Sequence, residues 1–71
     1  MMMSDFEVSK EYKLEMLNKR LEALNIEGWH NEEAKLIAIA TSNSEEQARL
    51  ENNIEIIKNA IQAVKEQIQA L

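Results

Sequence analysis

The sequence has no cysteine and no proline, one glycine and one histidine. The lack of cysteine excludes a disulfide framework and thiolate zinc sites. Without proline, and with Gly28 alone, the chain has a single strong helix breaker. Its longest uninterrupted apolar run is Leu36–Ala40, far short of the ~20 residues of a membrane span. Because the N-terminus also lacks the features of a secretory signal, we expect a cytoplasmic protein that has no membrane partner.

Acidic residues outnumber basic ones by 13 to 8, which gives a net charge of −5. Binding to nucleic acid phosphates requires a basic field, so we expect no direct contact with nucleic acid. The 71 residues fit one helical domain, 1–71, in which residues 1–3 are expected to be disordered. An elongated helical chain of this size buries little surface on its own. A partner chain is therefore predicted.

The first predicted helix covers residues 4–27. Ser4 and Glu7 are spaced as in a capping box, which favours a helix start at Ser4. Gly28 is suited to the left-handed position that ends many helices, so we predict a turn there. Four leucines spaced by three, four and three residues form a coiled-coil seam along this helix: Leu14, Leu17, Leu21 and Leu24.

A long second helix is predicted over residues 31–71, with Asn31 as its N-cap. Its apolar residues alternate steps of four and three without an error: Leu50, Ile54, Ile57, Ile61, Val64, Ile68 and Leu71. The same register continues backwards through residues 36–47, which favours one continuous helix. The alternative is a break at the polar residues 41–44, which gives three helices, about 4–27, 31–41 and 45–71.

These elements predict an all-α helical hairpin that assembles into a coiled-coil-like bundle. The first helix, ~36 Å long, would cover the second, ~60 Å long, only to about Ile54. The apolar residues from Leu50 to Leu71 would then form the interface of a homo-oligomer, a dimer to tetramer. Isoleucine at both seam positions favours parallel coiled coils of more than two helices.

Residues that could carry chemistry are few. Glu27 and His30 match the Glu-x-x-His spacing of di-iron bundles, but that spacing requires a helix, which Gly28 is predicted to end. The sequence shows no phosphate-binding loop and no catalytic triad. We therefore predict no catalytic residues, no metal and no cofactor, and expect that the protein is not an enzyme.

Three functional hypotheses follow. The first is a non-enzymatic helical interaction protein that self-associates and binds a protein partner. The alternative is a small acidic inhibitor that occupies the basic, nucleic-acid-binding-type surface of an enzyme. Its partner face would consist of four carboxylates: Glu7, Glu11, Glu15 and Glu22. The third is an oligomeric small-ligand binder that uses Trp29 and His30 at the tip of the hairpin.

Overall fold

Two antiparallel helices form the part of the chain that the structure, a computed structural model, describes, residues 6–71. Helix α1 is Lys10–Ala40 and helix α2 is Ser44–Gln69. They pack side by side into a rod measuring 50 × 21 × 17 Å. The predicted class, an all-α helical hairpin, is confirmed. The bounds of the helices differ from the prediction at residue 28 and at residues 41–43.

Helix α1 begins later than predicted. Residues 6–9 are not helical, and Ser9 is the N-cap, whose hydroxyl oxygen accepts a hydrogen bond of 3.1 Å from the amide of Tyr12. Ser9 supplies the same capping chemistry that was expected of Ser4, and Glu11 provides the acidic residue that favours a first turn. The predicted capping role of Ser4 and the predicted disorder of residues 1–3 lie outside the described residues.

The predicted turn at Gly28 is wrong, because α1 continues through this residue. A Cβ atom added to Gly28 would lie 3.5 Å from Cγ2 of Ile57, so the backbone of α1 runs close to α2 at this point. Glycine costs a helix about 1 kcal/mol relative to alanine. That cost is small compared with the packing of α1 along α2, and the helix therefore does not end at Glu27.

The chain reverses at residues 41–43, which confirms the alternative break near 41–44 and overturns the continuous helix over 31–71. The amide of Thr41 donates to the carbonyl of Ile37 at 3.0 Å, and the amide of Asn43 donates to that of Ala38 at 2.8 Å. The side chain of Asn43 then caps α2 by accepting from the amide of Glu46 at 3.2 Å. Because these polar residues satisfy backbone groups at both helix ends, they outweigh the continuity of the heptad pattern.

The core is a thin seam between the two helices. Its buried residues are Ala38, Leu50, Ile57 and Val64. Since α1 has 31 residues, it is ~46 Å long and matches the 26 residues of α2, at ~39 Å. The expectation that the isoleucine-rich segment has no partner in its own chain is therefore wrong.

Two polar contacts cross the seam between the helices. Nδ2 of Asn53 donates to Oδ1 of Asn31 at 3.4 Å, and Nζ of Lys35 lies 3.5 Å from Oε1 of Glu51. A hydrogen bond from Gln47 and the positive charge of Lys35 hold the pKa of the Glu51 carboxyl below its ordinary value. A polar layer in a coiled-coil seam favours one register over its neighbours.

Candidate interaction surface

The outer face of α1 carries a row of exposed apolar side chains, which we call the outer stripe: Ile26, Trp29, Leu36 and Ile37. Their exposed fractions are 51%, 58%, 60% and 65%, respectively. At about 100° per residue these positions fall within an arc of ~100°, on the side opposite the residues that face α2. A face of α1 is therefore left without cover by residues 6–71 of its own chain.

Helix α2 offers no comparable surface. Within α2 the only large apolar side chain described as exposed is that of Ile56, at 57%. Apart from Ile56, the large apolar side chains of α2 lie on the face that meets α1, whereas those of α1 lie on two faces. The candidate interaction surface therefore belongs to α1.

Alongside the outer stripe, a groove runs where α1 meets α2. Its volume is about 340 Å³, and its lining includes Leu36, Ile39, Ile54 and Lys58. Ile39 is itself exposed to 48%. The apolar surface near the hairpin turn thus extends from the outer stripe towards α2.

Trp29 and His30 lie in the middle of α1 and not at the tip of the hairpin, which is formed by residues 41–43. The tip placement depended on the turn at Gly28 and is wrong with it. The two rings meet edge to face, with centroids 5.3 Å apart and planes inclined by 82°. They border a shallow cavity of about 550 Å³ that Leu21 and Ile26 also line. Binding of a small ligand there stays a prediction.

Three of the four predicted partner-face carboxylates share the outer face of α1. Glu11, Glu15 and Glu22 continue the line of the outer stripe towards the N-terminus of the helix, whereas Glu7 precedes the helix. Nζ of Lys19 lies 3.4 Å from Oε1 of Glu15, and both side chains are largely exposed. The outer face thus carries mainly charged residues in its N-terminal half and mainly apolar residues, with Glu33 among them, in its C-terminal half. Binding of a basic partner stays a prediction.

The predicted oligomer-interface residues face α1 of the same chain. Leu50, Ile57 and Val64 are buried there. Ile54, Ile61 and Ile68 are half-buried, and Leu71 follows the end of α2. Sequence reasoning missed the outer stripe because it placed Ile26 and Leu36 on different helices. The signal was the spacing of residues 26, 29, 33, 36 and 40, which lies on one face once the helix is continuous.

A second apolar groove lies at the open end of the hairpin, where the start of α1 meets the end of α2. Its volume is about 470 Å³, and its lining includes Phe6, Tyr12, Met16 and Leu71. Most of the lining is apolar, and Lys13 and Gln67 supply its polar groups. This groove is separate from the outer stripe, which lies nearer the turn.

Within residues 6–71, no three histidine, aspartate or glutamate side chains converge as metal ligands. Neither helix combines the length and apolar character that crossing a bilayer requires, over the same described range. Protein-family models, curated proteins and solved structures were all compared with the chain, and none of them matches. A functional proposal therefore depends on the surface of the hairpin itself.

Proposed function

We propose that the protein is a non-enzymatic helical interaction protein that acts through self-association of the outer stripe. The observation that carries this proposal is that Trp29, Leu36 and Ile37 are each more than half exposed on one face of one helix. Several large apolar side chains exposed close together on a protein surface are typical of protein–protein interfaces. An aromatic anchor such as Trp29 is also the residue type that contributes most to binding energy in them.

The exposed area of the chain supports a second copy as the occupant. The accessible surface is 5866 Å², whereas a compact protein of this mass exposes ~4,500 Å². The excess of roughly 1,400 Å² is larger than the ~800 Å² that each partner buries in a standard interface. A chain with this much exposed surface has enough area to bury a standard interface with a second copy.

Sedimentation velocity at micromolar concentration tests the proposal. We expect a species heavier than the 8.2 kDa chain for the wild type and a monomer for Leu36→Glu, because a charge would be buried in the contact. Ile56→Glu is the matched control, since Ile56 has nearly the same exposure but lies on α2. It should self-associate like the wild type.

Circular dichroism must show that both variants keep the helix content of the wild type. A folded wild type that remains monomeric across the concentration range would contradict the proposal. Dissociation of Ile56→Glu with an intact Leu36→Glu assembly would move the interface to α2 and contradict it as well.

A further inference from the structure

We propose that the second copy packs on the outer stripe in the antiparallel direction, so that the two α1 helices lie side by side between the two α2 helices. This inference rests on the proposed self-association and adds the orientation and register of the partner. Two-fold symmetry is the commonest arrangement of identical subunits, and it brings the same patch of both copies together. For two helices the choice is between a parallel and an antiparallel pair.

Charge disfavours the parallel pair. A two-fold axis parallel to the helices places each residue opposite its own copy. The carboxylates of Glu15, Glu22 and Glu33, which follow the outer face, would then each face an identical carboxylate. Like charges placed opposite each other in a contact are unfavourable. An antiparallel pair avoids all three contacts.

The length of the outer stripe sets the register of the antiparallel pair. The stripe runs from Ile26 to Ile37. The stripes of the two copies overlap along their full length only when the two-fold axis passes the midpoint of the stripe, between residues 31 and 32. Ile26 then lies opposite Ile37 of the second copy. In the same register His30 lies opposite Glu33 of the second copy. The single carboxylate within the stripe thus meets an imidazole instead of another carboxylate.

The register also leaves the charged half of the outer face uncovered. Glu22 lies opposite Thr41 of the second copy, where α1 ends. The segment 10–21 therefore extends beyond the second hairpin, and Glu11 and Glu15 stay exposed at both ends of the assembly. The apolar half of the outer face is used for the contact between copies, and the charged half keeps its access to solvent.

Distances between nitroxide labels test the orientation. The chain has no cysteine, so Lys19→Cys and Glu15→Cys each give one labelling position on the outer face. In the antiparallel register the two labels at position 19, one on each copy, are separated by the length of 25 residues along the helix axis. The two labels at position 15 are separated by the length of 33 residues. At ~1.5 Å per residue the distances are about 38 Å for position 19 and about 50 Å for position 15.

A parallel pair predicts one short distance at both positions, since the axes of packed helices are ~8–10 Å apart. The increase of ~12 Å between the two positions is independent of the label linker and is the expected result. Two equal, short distances would overturn the antiparallel inference and leave self-association intact. A monomeric mass with no dipolar coupling would overturn the proposed function itself. Sedimentation of each labelled protein separates these outcomes.

Discussion

Helices α1 and α2 pack along one seam, but they dispose their apolar residues differently. Helix α2 turns its large apolar side chains towards α1 and leaves only Ile56 exposed among those described. Helix α1 exposes seven along its length: Tyr12, Leu14, Ile26, Trp29, Leu36, Ile37 and Ile39. A helix with one apolar face can bury that face against the other helix of a hairpin, whereas a helix with two apolar faces needs a further neighbour to bury both. The difference places the candidate interaction surface on α1.

The seam itself is also asymmetric. On α1 its C-terminal half carries the small residues Gly28 and Ala38, and α2 places the larger Ile57 against Gly28. Small residues allow two helices to approach closely, so that the larger side chains of α2 become buried. The large residues of α1 in the same region lie outside this contact, on the outer stripe. The asymmetry thus accounts both for the buried seam and for the exposed face.

The largest expected effect is a difference in stability between alanine variants of Leu50, in the seam, and Leu36, on the outer stripe. Leu50→Ala should lower the free energy of unfolding by about 3 kcal/mol, because it leaves a cavity in the seam. Leu36→Ala should lower that of the monomer by less than about 0.5 kcal/mol, since its side chain is already exposed. Urea denaturation followed by circular dichroism, at a concentration where the chain is monomeric, measures both values. Equal losses would remove the distinction between seam and outer stripe.

The next effect concerns the close approach of the helices at Gly28. Gly28→Ala should raise the free energy of unfolding by about 0.5–1 kcal/mol, because alanine favours the helix and its Cβ fits at an ordinary contact distance from Ile57. Ala23→Gly, at an exposed position of α1, is the matched control and should lower stability by a similar amount. A Gly28→Ala variant that is clearly less stable would instead indicate a turn at residue 28.

A smaller effect is expected at the turn that joins the two helices. Ser42 has φ = 55°, a left-handed backbone conformation that is unfavourable for most residues other than glycine, asparagine and aspartate. Ser42→Gly should therefore raise the free energy of unfolding by about 0.5 kcal/mol, since relief of strain exceeds the added entropy of the unfolded chain. The thermal midpoint should rise slightly with it. Thermal unfolding compares it with Ser44→Gly in the first turn of α2, which should be destabilised. A destabilised Ser42→Gly variant would argue against this turn.

The smallest effect is the pH dependence of the contact between Glu51 and Lys35. The pKa of Glu51 is lowered in the folded chain, first by Gln47 and then by Lys35. Its contribution to stability is therefore present above the ordinary glutamate pKa and is lost as the pH falls through the folded value. Glu51→Gln should lose less stability than the wild type between neutral and acidic pH. Urea midpoints measured across this range decide the question, and parallel curves for the two proteins would exclude the effect.

The sequence predicted the seam of α2 well and the course of α1 poorly. The heptad spacing from Leu50 to Leu71 survives in the structure because it reflects burial against a helix, whichever chain supplies that helix. Gly28 misled the prediction because propensity is a local quantity, whereas the packing of Gly28 on Ile57 involves residues distant in sequence. The turn at 41–43 was visible in its polar residues, and their capping hydrogen bonds decide between a break and a continuous helix.

The outer stripe could not be recognised before α1 was known to be continuous. Ile26 and Trp29 belong to the same face as Leu36 and Ile37 only when the helix passes through Gly28 without interruption. An error at one residue therefore concealed the candidate surface and transferred the expected interface to the segment from Leu50 to Leu71. The predicted chemistry of self-association stays a prediction, now attached to a different face.

Trp29 gives the most direct measurement, because it is the only tryptophan in the chain and lies within the outer stripe. Acrylamide quenching of its fluorescence should be weak in the wild type at high concentration, where a second copy covers the ring. It should become strong on dilution and be strong at every concentration in Leu36→Glu. Strong quenching that is the same in both proteins at all concentrations would show that nothing covers Trp29 and would contradict the account.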